Sequence, residues 1–428
     1  MADAGGEPSP EAAFAAALER AFRTGPPAAL GLAVSGGSDS MALLHLAADW
    51  AARAGTGRGV ALSVVTVDHG LRPEAQDEAG LVGYTARRLG LSHETLRWSW
   101  DRHGNVQDAA RRARYRLLAD WARERGLEGV LLGHTRNDQA ETLLMRLARG
   151  SGVDGLAAMA PERLAHGQRF LRPLLDVERY ALRRYLNARG GRWADDPTND
   201  DPGFDRVRTR RALAELDLDQ ERLAETAARM ADAREALEQM TRHVAAPHLA
   251  LDMGDLTFPQ DAFAAAPAEI RHRLLAHLLR WRTRSPYRPR YRALRALAEG
   301  LVRGRGGTLH GCFVSVRRGT IRIAREYAAV SGLSAPPDAL WDGFWRLEAG
   351  PGAAQADRVG ALGEAAHRPA PAPGTAPNGR PPRESLMASP ALWAGEELVA
   401  APLAGWGEGW RCQPAFTAED CLAALLSH

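Results

Sequence analysis

The sequence predicts an α/β fold, in which a parallel sheet with helices on both faces is followed by a mostly helical, arginine-rich second domain. In the first half, apolar runs alternate with segments of helical spacing about every 30 residues, which is typical of stacked βαβ units. A Gly/Ser-rich turn directly follows the first apolar run, at the strand end where open α/β sheets bind ligands. Beyond residue 212 the apolar residues recur at helical spacing, and arginine accumulates.

The individual elements follow from these patterns. Strands are predicted where short apolar runs occur, at 30–34, 61–67, 91–98 and 129–132. Helices are predicted where apolar residues recur at helical spacing, at 40–52, 74–89, 106–125 and 269–282, with one long helix or two in tandem at 213–244 and strand-like structure at 306–323.

The same patterns divide the chain into four parts. They are a flexible N-terminal segment at 1–25, the α/β domain at 26–212, the helical and arginine-rich region at 213–330, and a variable C-terminal region at 331–428. Within the last part, residues 351–383 are rich in Ala, Pro and Gly, which predicts a flexible linker.

The composition excludes several classes of protein. The 428 residues are 45% hydrophobic and 25% charged, as in an ordinary globular protein. All 55 basic residues are arginine, which excludes a lysine-containing Walker A loop and Schiff-base chemistry. Three scattered cysteines argue against a disulfide framework or a zinc site. Because neither a signal peptide nor a membrane-spanning run is evident, we expect a cytoplasmic protein that does not contact membranes.

Residues 35–40 read Ser-Gly-Gly-Ser-Asp-Ser, between the first strand and the first helix of the α/β domain. Backbone N–H groups, hydroxyls and the positive end of the helix dipole converge in such a turn. We therefore expect it to bind phosphate through the whole hexad, which comprises Ser35, Gly36, Gly37, Ser38, Asp39 and Ser40. A carboxylate in an anion site indicates Mg²⁺ or a helix cap, so a plain turn capped by Ser38 or Asp39 is the alternative.

Two further polar groups are predicted near this loop. Residues 68–72 read Asp-His-Gly-Leu-Arg just past the second strand, and they can bind a ligand that carries both charges. Arg111, Arg114 and Tyr115 share one face of the helix predicted at 106–125 and suit a phosphate or a carboxylate. An ordinary polar turn and a solvated helix face are the respective alternatives.

After the fourth strand, His134, Asp138 and Glu141 are spaced i, i+4 and i+7, which predicts one side of a helix. Such a cluster can bind Mg²⁺, orient an amine or move a proton. A structural histidine is the alternative.

Farther along, residues 271–326 contain fifteen arginines and two acidic residues in a chain whose net charge is only +3. This asymmetry indicates contact with a polyanion, and a solvated helix face is the alternative.

Taken in order, these motifs resemble the PP-loop ATP pyrophosphatase superfamily, with its adenine nucleotide alpha hydrolase-like fold, and within it the tRNA(Ile)-lysidine synthetase family. The hexad at 35–40 marks the superfamily. The narrower marks are Asp68-His69-Gly70-Leu71-Arg72, Asn105-x-Gln107 with Ala110-Arg111 and Arg114-Tyr115, Gly133-His134-x-x-x-Asp138-Gln139-x-Glu141-Thr142, and Asp196-Pro197-Thr198-Asn199. Together they cover about residues 28–212, and Val207 stands where the family often carries Asn.

The resemblance implies a ligase that uses ATP and Mg²⁺. Its substrates would be free L-lysine and the wobble cytidine of an isoleucine tRNA with a CAU anticodon. The cytidine O2 would first attack the α-phosphate and release pyrophosphate. The lysine ε-amine would then attack C2 and displace AMP, giving lysidine.

The resemblance also implies roles for particular residues. The catalytic residues would be Asp39, His134 and Asp138, with Asp39 also holding the metal. The lysine-binding residues would be Asp68, Arg111, Arg114 and Glu141. The tRNA-binding residues would be Arg206, Arg208, Arg282, Arg288 and Arg290.

Other readings of the sequence stay open. The first is another PP-loop tRNA-modifying enzyme such as a thiolase, although the first cysteine, Cys312, lies outside the catalytic half. An amidotransferase-type synthetase lacks an N-terminal nucleophilic cysteine here. A nucleotide-sensing RNA-binding protein would leave the cluster at 134–141 without a role. The oligomeric state is also open, with a homodimer as one candidate.

Overall fold

The computed structural model describes residues 8–53, 59–68, 70, 75–98, 106–195, 203, 205–367, 381–407 and 409–426. The chain divides into two compact units, residues 1–234 and 235–427. The division falls later than the predicted boundary at 212, because Leu223 and Ala227 pack on Leu143 and Ala158 of the first unit. The helix that carries them therefore begins in the first unit.

The first unit is built on a six-stranded sheet in the order β3-β2-β1-β4-β6-β5. Its strands are β1 (Ala29–Ala33), β2 (Ala61–Asp68), β3 (Ser92–Arg97), β4 (Gly129–Leu132), β5 (Glu162–Ala165) and β6 (Gln168–Leu171). All neighbouring pairs are parallel except β5 and β6, which form an antiparallel hairpin at the edge. The four predicted strands are confirmed, and the edge hairpin was not predicted. The chain proceeds from β1 outward in both directions, so the topological switch point lies between β1 and β4.

Helices cover both faces of this sheet, as predicted. The helices that begin in the first unit are α1 (Pro10–Ala21), α2 (Ser38–Arg53), α3 (Ala75–Arg88), α4 (Val106–Glu124), α5 (Arg136–Ala148), α6 (Val153–Leu156), α7 (Arg179–Ala188), α8 (Asp205–Glu215) and α9 (Gln220–Ala245). The segment from 213 to 244 is therefore two helices in tandem.

Alternate strand residues feed two separate cores, because successive side chains of a strand point to opposite faces. On one face Leu32 and Leu131 pack with residues of α1, α2, α3 and α7. On the other face Ala33 and Leu132 pack with α4, which contributes Trp121. The sheet is buried on both sides, so its strands read as short continuous apolar runs.

The predicted flexible segment at 1–25 is wrong for the residues of α1. Ser9 caps this helix by accepting the N–H of Ala12, and Pro10 stands at its first position. Phe14 and Leu18 are each 1% exposed and belong to the core shared with α2. Residues 10–21 thus form part of the domain.

The second unit combines strands and helices. Its strands are β7 (Ala250–Asp252), β8 (Asp255–Pro259), β9 (Gly307–Leu309), β10 (Cys312–Arg317), β11 (Thr320–Arg325), β12 (Ser334–Ala335), β13 (Trp345–Ala349), β14 (Arg358–Ala361), β15 (Pro390–Ala394), β16 (Glu397–Ala400) and β17 (Trp410–Pro414). Its α-helices are α10 (Gln260–Ala265), α11 (Ala268–Thr283), α12 (Tyr291–Val302), α13 (Tyr327–Val330), α14 (Arg383–Met387) and α15 (Ala418–Ala423).

These strands form three antiparallel sheets, in the orders β7-β8-β11-β10-β9, β12-β14-β15-β16 and β13-β17. The helix predicted at 269–282 and the strands predicted at 306–323 are confirmed. The predicted linker at 351–383 is wrong at Arg358–Ala361, because β14 pairs with β12 and β15 and buries Val359. Across the described parts of the chain, none of the helices has the length and apolar character needed to cross a membrane.

Candidate active site

A cavity of about 650 Å³ opens at the C-terminal ends of β1, β2 and β4, at the switch point of the sheet. Its lining includes Ser35, Gly37, Ser38, Asp39, Ser40, Asp68, Arg114, His134, Asp138, Arg179, Arg183, Asp195, Arg206, Arg210 and Arg211. Most of the predicted site residues therefore meet at one place. Three distant sequence motifs converge because the carboxyl ends of parallel strands share one edge of the sheet.

The loop between β1 and α2 forms the floor of this cavity. The Ser40 hydroxyl accepts the Ser35 backbone N–H at 3.1 Å and donates to the Gly37 carbonyl at 2.9 Å. Gly36 has φ +97°, a conformation that favours glycine, and it does not line the cavity. The Gly37 carbonyl accepts the first helical hydrogen bond, so Ser38 and Asp39 lie in the first turn and face the cavity. The positive end of the α2 dipole thus points at the space where an anion would bind.

A single arginine connects this loop to α5. The Arg179 guanidinium donates to Asp39 at 2.8 Å and to Asp138 at 3.3 Å, and it lies 3.5 Å from Glu141. We call these four residues the Arg179 cluster. The side chains of Asp138 and Glu141 are 7% and 2% exposed, so their charges need a close partner.

The ionisation of the two aspartates differs. Burial raises the pKa of Asp39 above its ordinary value, although Arg179 opposes the shift. Burial would also raise the pKa of Asp138, but the charges of Arg179 and Arg206 outweigh it and hold that pKa below its usual range. Asp138 therefore stays ionised and is a weak proton acceptor.

The predicted placement of His134 on a helix with Asp138 and Glu141 is wrong. The helix begins after Thr135, because Asp138 accepts both the Thr135 N–H at 2.9 Å and the Thr135 hydroxyl at 3.1 Å in a capping box. His134 lies just before this cap and lines the cavity. Burial lowers its pKa to about 3, with Arg172, Arg114 and Arg206 adding to the shift, so the imidazole is neutral near pH 7. Its Nδ1 is buried and makes no hydrogen bond to the described residues.

Glu141 does not line the cavity. Its carboxylate accepts a hydrogen bond from Arg210 of α8 at 2.6 Å, in addition to the contact with Arg179. The α8 helix also carries Arg206, whose guanidinium lies 3.9 Å from Asp138. Glu141 therefore helps to hold α8, and with it the three cavity arginines Arg206, Arg210 and Arg211, against α5.

The predicted lysine-binding residues are divided by the structure. Asp68 lines the cavity at the end of β2, where it accepts the Gly70 N–H at 2.8 Å. Arg114 also lines it, whereas Arg111 is exposed outside the lining and lies 6.0 Å from the centre of the Tyr115 ring. His69 and Arg72, the Asn105-x-Gln107 side chains, and the motif at 196–199 lie outside the described residues.

The predicted tRNA-binding arginines also separate into groups. Arg206 lines the cavity, and Arg208 is exposed and paired with Asp205. Arg288 and Arg290 are exposed on the second unit. The prediction for Arg282 is corrected, because its side chain is 2% exposed, 3.4 Å from Asp342 and 4.2 Å from the Phe344 ring centre. Arg282 is a core residue.

Four cavity arginines were missed by the sequence analysis: Arg179, Arg183, Arg210 and Arg211. Arg210 and Arg211 belong to a charged run that reads as an ordinary helix start. Arg179 and Arg183 are four residues apart on α7, the i, i+4 spacing of one helix face, but that spacing alone does not indicate what the face meets.

The described residues contain no group of three or more His, Cys, Asp or Glu side chains that could hold a metal ion by themselves. Mg²⁺ is usually bound by one or two carboxylates together with substrate phosphates and water. Asp39, at the mouth of the phosphate loop, fits that pattern. It suits an ion that arrives with a nucleotide.

The fold and this site define the first unit as a PP-loop domain, and a family model described as a PP-loop domain matches residues 10–216. Among relatives, a tRNA(Ile)-lysidine synthase of Ruegeria pomeroyi is 47% identical over 415 residues, covering 96% of this chain and 97% of the relative. One from a Bradyrhizobium strain is 45% identical, covering 69% and 89% respectively. The chain belongs to the tRNA(Ile)-lysidine synthase family. Among solved structures, the U34-tRNA thiolase NcsA of Methanococcus maripaludis matches at 15% identity and TM-score 0.43, covering 51% of this chain and 76% of the thiolase.

Proposed function

We propose that the protein ligates free L-lysine to C2 of the wobble cytidine in an isoleucine tRNA with a CAU anticodon. ATP is consumed through an adenylated cytidine, and the products are lysidine, AMP and pyrophosphate. The observation that carries the proposal is that a PP loop, carboxylates and arginines line one cavity. The family relationship over nearly the whole chain supports the same reaction.

In the first step the cytidine O2 attacks the α-phosphorus of ATP. A bond forms between O2 and phosphorus, and the bond to the bridging oxygen breaks with its electron pair on the departing pyrophosphate. The backbone N–H groups in the first turn of α2 are fixed donors for that developing charge, and the α2 dipole adds to its stabilisation. Mg²⁺ held by Asp39 would supply further neutralisation of the phosphates.

Lysine brings a cationic side chain and an anionic carboxylate into the same cavity. Asp68 is our candidate for the ammonium and Arg114 for the α-carboxylate, since both line the cavity. Glu141 does not line the cavity, so it acts indirectly, by holding Arg179 and Arg210 in place through ion pairs. Arg111 acts from outside the lining and adds positive charge beside Tyr115.

In the second step the lysine amine attacks C2 of the adenylated base. The C2–N bond forms, the C2–O2 bond breaks, and AMP leaves with that oxygen. The amine must lose a proton, and His134 is our candidate acceptor because its imidazole is neutral near pH 7 and its buried Nδ1 makes no hydrogen bond to the described residues. The Asp138 carboxylate, by contrast, already accepts hydrogen bonds from Thr135 and Arg179. Burial is the main cause of the low pKa of His134 in the free protein, and phosphate and carboxylate groups of the substrates would offset the smaller contributions of Arg114 and Arg206.

We assign tRNA contact to exposed arginines rather than to the arginine-rich segment as a whole. Arg206 and Arg208 on the first unit and Arg288 and Arg290 on the second are accessible to phosphates. A base that reacts at C2 must be unstacked, and RNA loops present bases in that way. The anticodon loop therefore suits the cavity, and the flanking helix suits the exposed arginines.

The thiolase alternative gains no support from the cysteines. Cys312, Cys412 and Cys421 are free and lie outside the PP-loop domain. Burial raises the pKa of all three thiols, that of Cys312 to about 12, which leaves little thiolate for sulfur transfer. Free thiols suit a reducing compartment, and we propose the cytoplasm.

The test is mass spectrometry of nucleosides from tRNA(Ile) incubated with the protein, ATP and isotopically labelled lysine. We expect one labelled cytidine derivative, which is lost when the anticodon is changed from CAU or when lysine is omitted. Asp39→Ala should bind tRNA but release no pyrophosphate. Pyrophosphate release that requires tRNA but never yields a labelled nucleoside would refute the ligase.

A further inference from the structure

The phosphate loop needs a cation that its own residues do not supply. A Walker A loop uses its lysine to contact the outer phosphates of the nucleotide. This chain contains no lysine, and the hexad at 35–40 carries only hydroxyls and the Asp39 carboxylate as charged or polar side chains. Pyrophosphate departure concentrates negative charge on the β and γ groups, so a positive side chain close to the loop would stabilise it.

Two arginines of α7 face the loop. Arg179 is committed elsewhere, because its three donor nitrogens all lie beside carboxylates of the Arg179 cluster. Arg183 is four residues later on the same helix face and contacts the neighbouring loop residue, Ser38. Its Nε donates to the Ser38 hydroxyl at 3.4 Å.

Arg183 is available to a ligand in a way that Arg179 is not. Its side chain is 46% exposed at the edge of the cavity, and its acidic neighbour Asp195, at 3.6 Å, is 80% exposed. Such an exposed pair is weak, so an incoming phosphate can replace Asp195 at little cost. A guanidinium also offers a planar pair of N–H donors to two phosphate oxygens.

The segment that carries Arg183 is fixed to the loop at both ends. At its start Arg179 contacts Asp39, and after it the Ala194 N–H donates to the Gly36 carbonyl at 2.9 Å. Between them, Leu182 and Leu186 are buried in the core with α2. Helix α2 directly follows the phosphate loop and packs against α7. This packing therefore sets the position of Arg183 relative to the loop.

We propose that Arg183 binds the pyrophosphate portion of ATP and takes the place of the lysine that other phosphate loops use. The proposal rests on the use of ATP in the proposed function, but not on the identity of the group that is adenylated. Arg179 acts differently, as a positioning residue that orients Asp39 and Asp138.

The test compares two ligands on the full chain with Mg²⁺ present and without tRNA or lysine. The non-hydrolysable analogue α,β-methylene-ATP has the pyrophosphate portion, whereas AMP lacks it. Calorimetric dissociation constants are measured for the unmodified protein, Arg183→Ala, Arg183→Lys and Arg184→Ala. Arg184 is the matched control, since it is an exposed arginine one residue away on the same helix and does not line the cavity.

We expect Arg183→Ala to weaken binding of the analogue by roughly tenfold to a hundredfold, as for loss of a charge-assisted hydrogen bond, while AMP binding changes less than about twofold. Arg183→Lys should recover part of the loss, and Arg184→Ala should match the unmodified protein. Unchanged analogue binding by Arg183→Ala, or an equal loss for both ligands, would overturn the proposal. Because no tRNA is present, a failure of lysidine formation leaves this result unaffected.

Discussion

Replacing Arg179 with alanine tests whether the Arg179 cluster holds the site together. The substitution leaves Asp39, Asp138 and Glu141 without the cation that joins them. Removal of one partner from a buried ion pair typically costs about 3–5 kcal/mol. Glu141 keeps Arg210 at 2.6 Å, and Asp138 keeps its hydrogen bonds from Thr135. We therefore expect a loss near the lower limit, about 3 kcal/mol in the free energy of unfolding of the first unit at pH 7.

The loss should depend on pH in a defined direction. In the unmodified protein the pKa of Asp138 is below its ordinary value, so its contribution to stability is present above that value and declines as the pH falls through the lowered pKa. Without Arg179 this pKa rises, and the already raised pKa of Asp39 rises further. As the pH falls, these carboxylates therefore take up protons in the variant before they do so in the unmodified protein, which removes their unpaired negative charge. The difference in the free energy of unfolding between the two proteins should then narrow as the pH falls from about 7 to about 4.

Urea unfolding followed by circular dichroism at several pH values measures both effects. Arg229→Ala is the control, because Arg229 and its partner Glu225 are 77% and 57% exposed at 3.6 Å. An exposed pair of this kind contributes less than about 0.5 kcal/mol. A loss for Arg179→Ala as small as that of the control, or a difference that stays constant between the two pH limits, would refute this account of the cluster.

Five further substitutions test three other parts of the structure. His134→Ala should slow the lysine-dependent step in single-turnover assays while ATP affinity changes less than about twofold, and equal losses in both would recast His134 as a nucleotide contact. Arg282→Ala should destabilise the second unit by about 3 kcal/mol in urea and leave the salt dependence of tRNA binding unchanged, whereas Arg288→Ala and Arg290→Ala should each reduce the salt slope by about 1. Gly36→Ala should weaken ATP binding in calorimetry, since the residue has φ +97° and an added Cβ would lie 3.3 Å from the Glu78 Cβ; unchanged affinity would show that the loop tolerates the strain.

The first half of the fold was predictable because its signals are local. Residues 129–132 were predicted as a strand and form β4 with the same bounds, since a short buried apolar run has few other solutions. The edge hairpin was missed because Glu162–Ala165 is partly exposed and mostly polar or small, with its turn at His166 and Gly167. Helix α1 was missed because the prediction treated residues 1–25 as one flexible segment, although Phe14 and Leu18 are four residues apart and share one helix face.

The candidate site was predictable where a motif marks a strand end or one face of a helix. Asp39, Asp68 and His134 lie at or after the ends of buried strands, and all three line the cavity. The predicted helical residues Arg114 and Asp138 line it as well. Arg179 and Arg183 carry no motif, and their role depends on where α7 packs. Arg282 shows the opposite error, since a high local density of arginine indicated nucleic acid contact for a side chain that is buried beside Asp342.

By itself, the sequence determined the PP-loop class, the strand ends that meet in one cavity and the absence of a lysine in the phosphate loop. Each of these three properties follows from the local sequence pattern or from the composition. Pattern and composition are the same before and after the chain folds. The tertiary structure alone decided which charges pair with which. It placed Arg179 among three carboxylates, left Arg183 at the cavity edge and buried Arg282. The physical reason is that an ion pair depends on distance and burial, and both are set by the packing of elements that lie far apart along the chain.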